Sequence, residues 1–351
     1  MEAFVGNGRR RWNGVAERRE IVLERKKVEK WVRGWQKKRV VVVGDLMLDE
    51  YIFGTAERIS PEAPVPVIRC EKRHYGAGGA GNTARNLSRL GAQVAVCGVV
   101  GDDEPGRRLI QTLNEDQVET SAIVCDPTRP TTVKTRIVAH HQQVARLDVE
   151  SRQPLSATIV SLLKDRLQKI LLQANSIIVS DYAKGLVGGW LTEILQPFAA
   201  NLLMTAGPKP SNMSVFKGFH YLSLNRTEAL SFLNGAGPLW EVGSAMVAQL
   251  SLHGLVVTLG GDGCLLFGRN GLRVQVPALR VQVYDVAGAG DTFLATVTLA
   301  LLSGCSFLDA AAVATVAAAS VVRKVGVATV TGDEILHLLP VRLPLKKDPC
   351  W

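Results

Sequence analysis

Val40-Val41-Val42-Val43-Gly44-Asp45 is four β-branched residues in a row, closed by a glycine and an acid. A strand with one wet face alternates apolar with polar residues; an unbroken apolar run reads as a strand buried on both faces, the kind found in parallel sheets covered by helices. Similar short runs follow at 94–100, 176–180, 202–205, 221–224 and 255–259, separated by stretches such as 80–90 and 157–172 that can hold helices. This alternation predicts an α/β fold, a mostly parallel central sheet with helices on both faces in three layers. Two segments break it. Residues 51–69 are rich in proline, and Thr132-Val133-Lys134-Thr135-Arg136-Ile137 alternates at period two. They are expected to form a small antiparallel β lid, from about 50–70 and 131–148, outside the main sheet.

Upstream of the first strand, Ile21, Val28, Val32 and Trp35 recur at steps of seven, four and three among charged residues, which predicts an amphipathic helix over 15–38. The expected organisation is a basic helical extension at 1–39, the main domain at 40–340 and a tail at 341–351. The formal charge of +9 belongs almost wholly to the extension, because residues 40–351 carry 28 basic against 27 acidic side chains. Five glutamates interleave the 13 basic residues of 1–39 and blunt any continuous positive field. No nucleic-acid partner is expected; the apolar stripe should pack on the body or on a second copy, as in a homodimer, and serve packing or assembly rather than catalysis.

With 351 residues the chain can bury a large core without disulfides or metals. Its 47% hydrophobic and 21% charged residues are near the globular average, which argues against a disordered or collagenous protein. Six scattered cysteines with no C-x-x-C pair suggest neither a zinc ribbon nor a disulfide framework, and fit reduced thiols in a cytoplasm. No signal peptide or membrane span is expected. The uncharged stretch 292–308 is 17 residues and carries Thr, Ser, Gly and Cys.

The strongest chemical signal is Asp285-Val286-Ala287-Gly288-Ala289-Gly290-Asp291-Thr292-Phe293, which opens a helical pattern running to Leu302. Glycines at a helix start let backbone N–H groups approach an anion, and the helix dipole favours negative charge there. An acid inside such a seat repels the anion, but makes sense as a base that takes a proton from a hydroxyl attacking a bound phosphate. The bland alternative is an ordinary helix N-terminus with an acid in its first turn.

Gly76-Ala77-Gly78-Gly79-Ala80-Gly81-Asn82 matches the dinucleotide fingerprint G-x-G-x-x-G, with Asp102 about twenty residues on, yet the stretch before it is a poor buried first strand. The same residues could instead bring backbone close to a polyhydroxylated ligand, with Asn82 and Asp49 on its hydroxyls. Asn225-Arg226-Thr227-Glu228 follows a strand and sets an amide and a carboxylate one turn apart, suitable for a phosphate oxygen and a hydrated magnesium ion, or for an ordinary surface helix start. Thr258-Leu259-Gly260-Gly261-Asp262-Gly263 ends another strand, as a ligand loop or a tight turn. No Walker A motif and no protein-kinase H-R-D signature is present.

Taken together, Gly78-Gly79-Ala80-Gly81-Asn82, Asn225-x-x-Glu228, Thr258-x-Gly260-x-x-Gly263 and Asp285-x-x-Gly288-Ala289-Gly290-Asp291 resemble the ribokinase (PfkB) carbohydrate kinases in order and spacing, over about residues 40–335. The stretches Gly44–Asp49, Arg58–Val67 and Ser180–Gly185 resemble the heptose-7-phosphate kinases within that family. The resemblance implies a ribokinase-like sandwich and an ATP- and Mg2+-dependent kinase acting on the anomeric hydroxyl of D-glycero-β-D-manno-heptose 7-phosphate. It implies Asp291 as catalytic base and Gly288, Ala289 and Gly290 as the anion hole. Asn225 and Glu228 would contact phosphate and magnesium, Glu228 through water, while Thr258, Gly260 and Gly263 would line the nucleotide. Asp49, Gly78, Gly79 and Asn82 would hold the sugar, Lys184 its phosphate, and Asp285 with the backbone near Gly326 a monovalent cation such as K+. Lys134, Arg136 and Arg146 lie in segments that could add further cations. Two positions depart from the pattern: Gly207 stands where heptose kinases commonly carry Asp before Pro-Lys, and Ala287 where they commonly carry Thr. No H-x-G-H motif occurs, so only the kinase half of the bifunctional relatives is expected. Rival expectations are a kinase for another sugar and a non-catalytic kinase-like binding protein.

Overall fold

The computed structural model describes residues 20–140, 142–233 and 237–346. A short strand β1 (Glu20–Leu23) and helix α1 (Arg25–Trp35) precede β2 (Arg39–Gly44). With only Asp45 between, β2 passes into β3 (Leu46–Ile59), which pairs back on β4 (Pro66–Gly79). Then come α2 (Ala80–Arg89), β5 (Gln93–Val100), α3 (Glu104–Glu115) and β6 (Val118–Cys125), and a second antiparallel pair, β7 (Thr132–Ala139) and β8 (Gln142–Val149). Alternation resumes with α4 (Ala157–Leu171), β9 (Ser176–Ser180), α5 (Gly189–Leu195), β10 (Leu203–Gly207), β11 (Tyr221–Asn225), α6 (Arg226–Leu230), α7 (Leu239–Gln249) and β12 (Gly254–Thr258). Strands β13 (Cys264–Gly268) and β14 (Arg273–Val276), helices α8 (Ala289–Leu302), α9 (Phe307–Val321) and α10 (Gly332–His337), and β15 (Val341–Pro344) follow.

The main sheet has nine strands in the order β14-β13-β12-β11-β10-β9-β2-β5-β6, parallel from β12 to β6, with β13 and β14 antiparallel at one edge. Val40 and Val42 enter one apolar cluster with residues of α2, α8 and α9, while Val41 and Val43 enter another with residues of α4, α5 and α7. All four valines are fully buried, at ~1.5–3 kcal/mol of apolar burial each, which is why the run has no polar alternation.

The four-stranded second sheet, β4-β3-β7-β8, lies where the lid was expected. It is mixed rather than wholly antiparallel: each hairpin is antiparallel, but β3 and β7 pair in parallel. Both follow strands of the parallel sheet, β2 and β6, so both leave it in the same direction.

The continuous helix expected over 15–38 is corrected. Residues 15–19 lie outside the described residues; 20–23 form a strand antiparallel to β15, and the helix is confined to 25–35. Ile21 and Leu23 are buried at period two, so the edge offered by β15 decides the conformation there. Val28 and Trp35 are fully buried, which keeps the helical reading for the second half.

Candidate active site

The centre of the site is the N-terminus of α8. Gly288 caps it with φ +79, a left-handed conformation, and a Cβ there would come within 2.7 Å of Asn82 Nδ2. At Gly290 a Cβ would meet no atom from outside its own turn within 4 Å, so the space beside this first-turn glycine is open. Asp291 sits in that turn. Its Oδ2 accepts from Asn82 Nδ2 at 2.8 Å, and its Oδ1 accepts from the Tyr182 hydroxyl at 2.7 Å and from Thr83 Oγ1 at 3.3 Å. Burial pushes the Asp291 carboxyl above the ordinary carboxylate range; the three donors pull against that rise, and the negative Asp49 adds to it. A carboxylate so held, with raised proton affinity beside an anion seat, is equipped to take a proton.

Asp49, on β3, is buried and ion-paired to Arg136 of β7. Gly78 is small because a Cβ would fall 2.1 Å from Asp49 Oδ2, and Gly79 has φ +56 with the Asp45 carbonyl 2.5 Å from its Cβ position. These glycines end an antiparallel strand, so the G-x-G-x-x-G match lacks the parallel first strand that a dinucleotide site requires. Asn82 is fully buried and spends its amide on Asp291 and its Oδ1 on Asn86. Lys184 is ion-paired with Glu150. Lys134 lies nearby with its ammonium 5.9 Å from the centre of the Tyr182 ring, and burial lowers its pKa.

A cleft of about 190 Å³ brings together Asn225, Glu228, Thr258, Gly288, Gly290, Asp291 and Tyr182. Asn225 caps α6 reciprocally: its Oδ1 accepts from the Glu228 N–H, and its own N–H donates to Glu228 Oε2, each at 2.9 Å. Glu228 also pairs with Lys209. Gly260 and Gly263 do not line this cleft; they shape the loop after β12 with φ +60 and +90, and a Cβ at 263 would strike the Val276 carbonyl at 2.1 Å. Asp285 accepts from the N–H groups of Ala287 at 2.9 Å and Gly326 at 3.0 Å, so the two segments expected at a cation loop do meet. Among the described residues no group of three His, Cys, Asp or Glu could hold a metal. Glu228, in the cleft beside Asn225, is a carboxylate that could reach a phosphate-borne magnesium ion through water.

Sequence reasoning missed the roles of Tyr182, Thr83, Asp45, Asp181 and Lys209. Asp45 accepts from the N–H groups of Tyr182, Lys184 and Leu186, and Asp181 from those of Ala183 and Lys209 and from Asn212 Nδ2. The available signal was positional: both acids follow buried parallel strands, where loops of such sheets meet ligands.

The α/β sandwich with its second sheet, and the glycine-rich start of α8 with a carboxylate in its first turn, fit the sugar-kinase class, and the chain belongs to the pfkB family of carbohydrate kinases, whose model matches residues 37–333. It is similar to the bifunctional protein HldE of Pelobacter propionicus, 38% identical over 297 residues, covering 82% of this chain and 60% of that protein. The HldE protein of Helicobacter hepaticus is 40% identical over 279 residues, covering 78% and 58%. The chain thus spans about 60% of the length of these relatives. Among solved structures, phosphofructokinase-2 of Escherichia coli in complex with substrates and products matches with TM-score 0.70 and 18% identity, covering 86% of this chain and 98% of that one. Arabidopsis thaliana ribokinase complexed with ribose and ATP matches at 0.65 and 19%, covering 86% and 98%. Among the described residues no helix is long and apolar enough to cross a membrane.

Proposed function

We propose that this protein transfers the γ-phosphoryl group of ATP to the anomeric hydroxyl of D-glycero-β-D-manno-heptose 7-phosphate, giving the 1,7-bisphosphate in the cytoplasm, with Asp291 as general base. The observation that carries the reading is the Asp291 carboxylate, fixed by Asn82, Thr83 and Tyr182 in the first turn of the α8 anion seat. As the sugar oxygen forms its bond to the γ-phosphorus, its proton passes to Asp291, and the bond from that phosphorus to the bridging oxygen breaks, releasing ADP. First-turn N–H groups at Ala289 and Gly290 would meet the charge on the transferring group. Magnesium, with Glu228 reaching it through water, would neutralise phosphate charge, and K+ would sit near Asp285 and Gly326. The sugar would lie against Asp49, Gly78 and Gly79, and its phosphate would draw on Lys184, released from Glu150, and on Lys134.

The substrate class rests on the heptose-kinase resemblance of 44–49, 58–67 and 180–185 and on the similarity to the bifunctional proteins HldE. The test is ADP release with heptose 7-phosphate, unphosphorylated heptose, fructose 6-phosphate and ribose, each with parent and Asp291→Asn. Turnover should be highest on the heptose phosphate, and the variant should lose about 10²- to 10⁴-fold in kcat with ATP affinity kept, the usual worth of a general base. Near-parental kcat in Asp291→Asn removes the base; preference for another sugar removes the substrate.

A further inference from the structure

Tyr182 belongs to the loop after β9, outside every glycine motif, yet it makes the shortest hydrogen bond to Asp291. We propose that Tyr182 is a positioning residue that sets the orientation and proton affinity of the Asp291 base. This rests on the assignment of Asp291 above. The loop is anchored at this point, because the buried Asp45 accepts from the Tyr182 N–H at 2.8 Å. The ring has the ammonium of Lys134, from β7, 5.9 Å from its centre and that of Lys209, from the loop after β10, at 5.3 Å. Tyr182 therefore has a cation from the second sheet and one from the loop after β10 beside its ring while its hydroxyl is on Asp291.

The groups facing the pair make the direction of its effect definite. Asn82 and Thr83 from α2 also donate to Asp291, and Asp49 from β3 faces it as a like charge. Burial, then Asp291 itself, with Asp49 and Glu228 from α6 as lesser negative charges, push the Tyr182 phenol well above the ordinary tyrosine value. The hydroxyl thus stays protonated and remains a donor wherever the enzyme works. A donor to the ionised carboxylate stabilises that form, so Tyr182 opposes the rise that burial imposes on Asp291 and keeps the base unprotonated at lower pH.

The test is the titration of the Asp291 carboxyl, followed by NMR in carboxyl-13C-aspartate protein and assigned by its loss in Asp291→Asn, together with the pH dependence of kcat. Tyr182→Phe keeps the ring between the two lysines and removes the hydroxyl. The Asp291 midpoint and the acid limb of kcat should both move up by about one pH unit, with the KM for ATP within about twofold of the parent. A uniform loss of kcat at every pH with the midpoint unmoved would reduce Tyr182 to a packing residue and overturn the proposal. If Tyr182→Phe does not fold, 3-fluorotyrosine at 182, a stronger donor of nearly the same size, should move the midpoint down; no shift or an upward one overturns it equally. The NMR titration needs no substrate, so a midpoint that moves in a protein inactive on all four sugars upholds the effect of Tyr182 on the Asp291 carboxyl and sinks the proposed function with the name of base.

Discussion

Gly288 and Gly290 stand two residues apart and are small for different reasons. The first has a left-handed backbone and a neighbour, Asn82, where a Cβ would go; the second has open space. Gly288→Ala should therefore cost about 1–3 kcal/mol of stability and disturb the Asn82 bond to Asp291. Gly290→Ala should leave the melting temperature unchanged or raise it, since alanine favours the helix, while the KM for ATP rises about tenfold or more. Thermal melts and ATP saturation curves on both variants check this; destabilisation by Gly290→Ala would mean its space is structural. The turn that opens α8, with its glycines and Asp291, was legible in the sequence because a glycine-rich helix start is a local pattern. The partners of Asp291 were not, since Asn82 and Tyr182 lie 209 and 109 residues away and nothing in their own neighbourhoods announces the contact. For the same reason the Lys184 pair with Glu150 could not be read, although Lys184 itself stood out.

At the scale of elements, β1 and α1 close one side of the sandwich. Trp35 is fully buried, Lys27 pairs with Asp309 of α9 at 3.2 Å, and β1 adds to β15. Packing in this part of the extension is thus with the body of the same chain. Trp35→Ala should cost about 3–5 kcal/mol in denaturant unfolding, as for other large-to-small core changes, while kcat of the folded fraction stays near the parent. Removing residues 1–36, which strips Ile21, Leu23, Val28 and Trp35 together, should cost more; an unchanged unfolding midpoint would show that the segment is only appended. The parallel strands were legible because burial on both faces leaves no polar residue in the run. The boundary between β1 and α1 was not, because four residues with two apolar positions fit either period until β15 supplies an edge.

At the scale of the whole molecule, the two sheets meet around Asp45, where β2 becomes β3, and the site forms where the lid sheet, α2 and α8 converge. The class of fold was legible from alternation alone. The lid's mixed pairing was not, since it depends on β3 and β7 both leaving the main sheet from the carboxyl ends of parallel strands, which only the assembled topology brings together. The Asn82–Asp291 hydrogen bond has a consequence for the order of events as the chain is made. A ribosome delivers α2 long before α8, so the Asp291 carboxylate has no donors, and the donors no carboxylate, until residues near 300 have emerged and docked. Contacts of such sequence separation form slowly, and on refolding from denaturant kinase activity should return later than the far-ultraviolet signal of helix formation, which needs only local contacts. Simultaneous recovery of both signals would show instead that the two ends of the chain come together in one cooperative step.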